Sequence, residues 1–200
     1  MDRITLKNMA KEQIRGNLGV LFVCFLIVYA ITSAAALLPS VGPIASLVLS
    51  APLEIGLITI FLKLKDRQPP EIKELFNHFD CLAHSVLLNI LTSVFTVLWS
   101  LLFVVPGIVA ALSYSMAPYI LAENKHLTAM EALNMSKQMM NGHKADLFVL
   151  YLSFIGWGII VSITFGIAGI YVAPYMQATL ANFYDSIKVC TSANAEIYDS

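Results

Sequence analysis

Three long stretches of the chain carry no Asp, Glu, Lys or Arg: Gly16 to Leu53, Cys81 to Ala122, and Leu147 to Tyr184. A helix that crosses a membrane takes about 20 apolar residues. Each stretch is long enough for two, and each has a breaker near its middle. These are Pro39-Ser-Val-Gly-Pro43, Pro106-Gly107 and Phe165-Gly-Ile-Ala-Gly169. The pattern therefore predicts six spans folded as three hairpins, at about 18–38, 44–62, 82–104, 107–122, 146–165 and 169–187.

The polar segments between the stretches have their own periodicity. Arg3, Lys7, Lys11 and Arg15 recur every four residues, so they drift along one side of a helix. This reads either as a basic helix on the membrane surface or as a disordered positive tail. In 63–80, Pro69-Pro70 suits a helix start, and Ile72, Leu75, Phe76 and Phe79 follow at helical spacing. In 123–146, Thr128-Ala-Met-Glu131 fits a capping box and Gly142 suits a helix C-terminus. Three amphipathic helices on the cytoplasmic face are expected.

Composition agrees with a membrane protein. Of 200 residues 58% are hydrophobic and 12% charged, against about 25% charged in soluble domains. The net charge of −1 leaves no basic footprint for nucleic acid. All 12 Lys and Arg lie in four places: the N-terminal segment, 63–80, 123–146, and Lys188. None lies in the three tight turns. Basic residues mark the cytoplasmic side, so both termini and both long loops are expected inside. Val20 to Ile31 followed by Ser33-Ala34-Ala35-Ala36 also has the look of a cleavable signal peptide. The long charged segment before it, and its equivalence to the later runs, favour a first span. Cys24, Cys81 and Cys190 are far apart and form no metal motif.

The unit repeats three times: surface helix, span, turn, kinked span. Ala51-Pro52, Ala117-Pro118 and Ala173-Pro174 hold matching places. KEQIRGNLGVLFV (11–23) aligns without gaps on KQMMNGHKADLFV (137–149), placing Gly16 on Gly142. One membrane domain is expected over 1–187, with units of about 1–62, 63–122 and 123–187 and a short loose polar tail at 188–200. Each proline removes a helical hydrogen bond and crowds the carbonyl four residues back, at Val48, Tyr114 and Ile170. Such carbonyls must face protein or a wet cavity. Three kinks can ring a central site, or they can merely tilt helices for packing.

Three pieces, LLFVVPGIVAALSYSMAPYILAE (101–123), SKQMMNGHKADLFVLYLSFIGW (136–157) and PYMQATLANFY (174–184), together resemble a bacterial integral-membrane family, domain of unknown function 975. The resemblance covers most of the chain, about 1–187. It implies a six-span protein of the bacterial cell membrane. It assigns no activity, substrate, cofactor or catalytic residue.

Glu54 is the leading candidate for chemistry. It lies nine residues from Lys63, about 13 Å up a helix, where a carboxylate is costly and calls for a functional explanation. It can bind a cation or relay a proton, or it can meet a polar helix face. With Pro52, Pro118, Tyr119, Pro174 and Tyr175 it makes up the candidate central site. Gly142-His143-Lys144 reads as a lipid-phosphate contact through His143 and Lys144, or as a helix cap with an anchoring lysine. Asn89 reads as an interhelical hydrogen bond, and the methionines of 123–146 as packing.

No catalytic triad, HExxH, phosphate-cradling loop or nucleotide motif occurs. No enzyme, metal site or cofactor is expected. The leading reading is a non-enzymatic binding, accessory or transport-related subunit. A self-contained carrier of a small amphiphile or lipid is the alternative, and an intramembrane lipid-acting enzyme a weaker one. Expected partners are membrane lipids, with a membrane-protein partner or a second copy of the chain.

Overall fold

The structure is a computed structural model that describes residues 3–198 and, apart from 102 and 190–198, their side chains. It is 81% helix, with no strand among the described residues. The helices are α1 Arg3–Ile14, α2 Leu18–Ala36, α3 Gly42–Lys65, α4 Leu82–Leu102, α5 Val104–Tyr114, α6 Ala117–Glu123, α7 Ala129–Met139, α8 Lys144–Leu152, α9 Ile155–Ile163 and α10 Gly169–Tyr198.

Five helical segments among the described residues are long and apolar enough to cross a membrane: Leu18–Ala36, Gly42–Lys65, Ile72–Leu101, Val104–Glu123 and Lys144–Ile163. The sixth expected span, 169–187, is helical as α10 but is not one of these five. Its polar residues have protein partners instead: Thr179 and Asn182 are buried in the core beside Tyr175, Phe183 and Tyr184. α10 continues to Tyr198, into the expected tail of 188–200, while 199–200 lie outside the described residues.

The segments differ in depth. In Gly42–Lys65 and Val104–Glu123, 50% and 44% of the most apolar window is buried, against 17%, 11% and 17% in the others. α3, α5–α6 and α10 are thus the inner helices, and α2, α4 and α8–α9 flank them. α3 packs against α2, α4, α6 and α10. Leu53, Ile55, Ile58, Ile60 and Phe61 are almost wholly buried along it.

The turn between α4 and α5 falls at Phe103, in extended conformation (φ −160°, ψ 149°), and not at Pro106-Gly107. Pro106 sits in the first turn of α5, where its missing N–H breaks no helical bond. The first and third turns fall as expected, with left-handed backbone at Ser40 (φ 72°), Phe165 (φ 50°) and Gly166 (φ 89°).

The polar connectors pack against the inner helices. α1 lies along α10, burying Leu6, Ala10 and Ile14. Paired side-chain amides of Gln13 and Asn182 hold it, each donating to the other at 2.9 Å. Lys7 Nζ donates to the Ser153 carbonyl at 3.3 Å, where α8 ends, and stands 4.4 Å over the Phe154 ring. α7 opens with the expected capping box: the Glu131 N–H donates to Thr128 Oγ1, and Glu131 accepts from the Thr128 N–H. It packs against α4, α5 and α6.

The second connector is not the expected α-helix. It forms 3-10 turns at Ile72–Phe76 and Phe79–Cys81. Of its apolar stripe, Leu75 is fully buried, whereas Ile72 and Phe76 are exposed. Leu75 lies against α3 at Gly56, where a Cβ would stand 2.5 Å from the Leu75 carbonyl oxygen. Glycine is required there for close approach. Gly16 and Gly142 share φ 85° at the ends of α1 and α7, a left-handed conformation that suits glycine after a helix.

Candidate functional site

Glu54 sits near the middle of α3, two residues after Pro52. Its carboxylate makes no hydrogen bond or ion pair with any described residue. It opens on a cavity of about 130 Å³ walled by α3, α4 and the start of α6. Ser85, Asn89, Thr92 and Ser93 of α4 bring polar groups to this cavity, and Pro118 and Ala51 supply apolar walls.

The polar groups are only partly engaged. Ser85 Oγ donates to the Cys81 carbonyl at 3.1 Å, and Ser93 Oγ donates to Asn89 Oδ1 at 3.5 Å. Thr92 Oγ1 is buried without a partner. An unsatisfied buried hydroxyl is costly, and a polar cavity of this size has room for waters or one small head group. The arrangement can bind a cation or hydrogen-bond donors.

Tyr119 follows Pro118 in α6 and is buried. The Tyr119 hydroxyl donates to Gln177 Oε1 of α10 at 3.2 Å. Its ring stacks on Tyr184, with centroids 5.5 Å apart. The Tyr184 hydroxyl donates in turn to Glu123 Oε2 at 2.8 Å. A chain of hydrogen bonds and stacked rings thus runs from Gln177 through Tyr119 and Tyr184 to Glu123, at the end of the bundle where α6 stops. The neighbouring Lys65–Asp185 and Lys63–Glu74 ion pairs, each at 2.6 Å, brace that same end.

Of the six residues expected at a central site, Glu54 and Pro118 share the cavity, and Tyr119 stands near. Pro52 is buried in α3 two residues before Glu54. Pro174 lies inside α10 and does not line the cavity. Tyr175 belongs to another cluster, with Phe154 at 5.3 Å, Trp157 and Tyr171 at 6.0 Å, and Lys11 Nζ at 5.8 Å. His143 faces Asp146, with Nδ1 3.6 Å from Oδ2. Lys144 lines a cavity together with Lys137 and residues of α5.

The α4 face was missed except for Asn89. Its signal was present: Ser85, Asn89, Thr92 and Ser93 fall at i, i+4, i+7 and i+8, one polar stripe on an apolar helix. Ser136 was missed as well. Its hydroxyl donates to the Ser113 carbonyl at 2.8 Å and accepts from the Met116 N–H at 3.2 Å, bridging the gap between α5 and α6. Among the described residues no group of His, Cys, Asp and Glu is placed to hold a metal ion.

No curated protein and no solved structure matches the chain. The sequence does match a family, described as Protein of unknown function (DUF975), over residues 1–113 and 101–191. Those two segments span nearly the whole chain, so the protein belongs to that family.

Proposed function

We propose that the protein is a six-span, non-enzymatic binding or transport-related subunit of a bacterial cell membrane, with a small cationic or amine-bearing ligand seated at Glu54. The observation that carries this reading is the unpaired Glu54 carboxylate, open to a cavity that also contains an unsatisfied hydroxyl at Thr92. An ionisable residue within a membrane helix tends to serve a ligand, ion or proton path.

The topology belongs to the same reading. α10 is the sixth span, less apolar than the others because protein surrounds it. The concentration of Lys and Arg in the termini and long connectors supports cytoplasmic termini. The three-hairpin repeat draws support from Gly16 and Gly142, which share φ 85°, and from the aligned positions Leu21 and Leu147, both fully buried.

Native mass spectrometry of the full chain purified in mild detergent tests the ligand site. Wild type is expected to retain a discrete ligand bearing a basic group, and Glu54→Gln to lose it while keeping the same melting temperature. Equal retention by both proteins removes Glu54 from binding. A copurifying protein in place of any small molecule makes the chain an accessory subunit instead.

A further inference from the structure

A second site lies where α7 passes into α8. Asn134, Lys137, Gln138, Asn141 and Lys144 line a cavity of about 490 Å³. Lys137 and Lys144 also line an adjoining cavity of about 180 Å³, whose other walls include Trp99, Pro106, Val109 and Tyr114. The two spaces share Lys137 and Lys144 as lining residues. On one side the walls are amides, and on the other they are largely apolar.

Neither lysine makes a hydrogen bond or ion pair with a described residue. Lys63 and Lys65, by contrast, pair closely with Glu74 and Asp185. The apolar groove follows α5 from Tyr114 back to Pro106, about 12 Å at the helical rise. Trp99 and Val109 are exposed along it. Two unpaired cations at the head of an open apolar groove complement an amphiphile with an anionic head and a hydrocarbon tail.

We infer that this joined cavity holds an anionic membrane lipid. Its phosphate lies between Lys137 and Lys144, its polar head group meets the side-chain amides, and one acyl chain follows α5 past Val109 towards Trp99. The site is separate from the Glu54 cleft, and its second cation is Lys137 rather than His143, which faces Asp146.

Titration of phosphatidylglycerol or phosphatidylcholine into the detergent-purified full chain, read by native mass spectrometry, tests this. Wild type should favour phosphatidylglycerol. Lys137→Gln/Lys144→Gln should weaken that binding by roughly tenfold to thirtyfold, the weight of two basic residues near anionic lipid, and leave phosphatidylcholine unaffected. Lys137→Arg/Lys144→Arg should retain it, as should Arg15→Gln/Arg67→Gln, which removes the same charge elsewhere. Excess inorganic phosphate should compete poorly, because it has no tail for the groove. Unchanged binding in the glutamine variant, equal loss in the Arg15/Arg67 variant, or phosphate competing as well as the lipid would each overturn the assignment.

Discussion

α1 and α7 occupy aligned places in the sequence, and each packs against an inner helix that carries an Ala-Pro pair. The outcomes differ. α10 runs unbroken through Pro174, whereas α5 and α6 are interrupted just before Pro118. The residues facing the inner helices differ in the same way. Ala10 of α1 aligns with Ser136 of α7, and both are completely buried. Where the inner helix is broken, the hydroxyl of Ser136 serves the freed, buried Ser113 carbonyl and Met116 N–H. Where it is continuous, a methyl group suffices. A proline in a helix therefore leads to a break here only where a neighbour satisfies the backbone groups that the break releases. The second connector uses neither device. It brings Leu75 backbone against Gly56, in the helix that carries Pro52.

The largest effect is expected at that backbone contact. Gly56→Leu places carbon where Leu75 backbone already lies, and nothing on either side can swing away. We expect a loss of about 3 kcal/mol or more, measured by reversible unfolding in mixed detergent. A loss below that would mean that the 3-10 connector moves aside readily, and that it is a cover rather than a packed element.

Ser136→Ala comes next and makes α7 like α1 at the position that distinguishes them. It leaves a buried N–H and carbonyl unserved at the α5–α6 gap, for an expected cost of about 1–3 kcal/mol. Amide exchange at Met116 should speed up in the variant. If stability and exchange are unchanged, the hydroxyl follows the break without supporting it.

The five long apolar helical segments could be read from sequence because their signal is long and unidirectional: no charge for two helix lengths, then a breaker. The connectors could not, because what fixes them is tertiary. The stripe of Ile72, Leu75, Phe76 and Phe79 has helical spacing, but only Leu75 finds a buried seat, and that seat depends on Gly56 in another element. Pro106-Gly107 marks the start of a helix as readily as a turn, and local sequence does not choose between them. The candidate site was legible in Glu54, whose charge stands out in an apolar span, and in Pro118. It was not legible in Tyr175, because the face of α10 that bears it is turned to Lys11, Phe154 and Trp157.

The smallest effect concerns how α7 begins, since a helix that must hold Ser136 in place needs a fixed first turn. Hydrogen bonds from the Thr128 N–H and hydroxyl hold the Glu131 carboxyl below its ordinary value of 4.5. A carboxylate with a lowered folded-state pKa stabilises the fold above its ordinary pKa, and that contribution is lost as the pH falls through the lowered value. Amide protection at the start of α7 should therefore be full near neutral pH and decline below about pH 4.5. Glu131→Gln keeps a side chain able to accept from the Thr128 N–H but cannot titrate, so its protection should stay level across the same range. A parallel decline in wild type and variant would place the acid sensitivity elsewhere. The first turn of α7 would then be held by its packing against α6, as α1 is held against α10 by buried side chains and the Gln13–Asn182 pair.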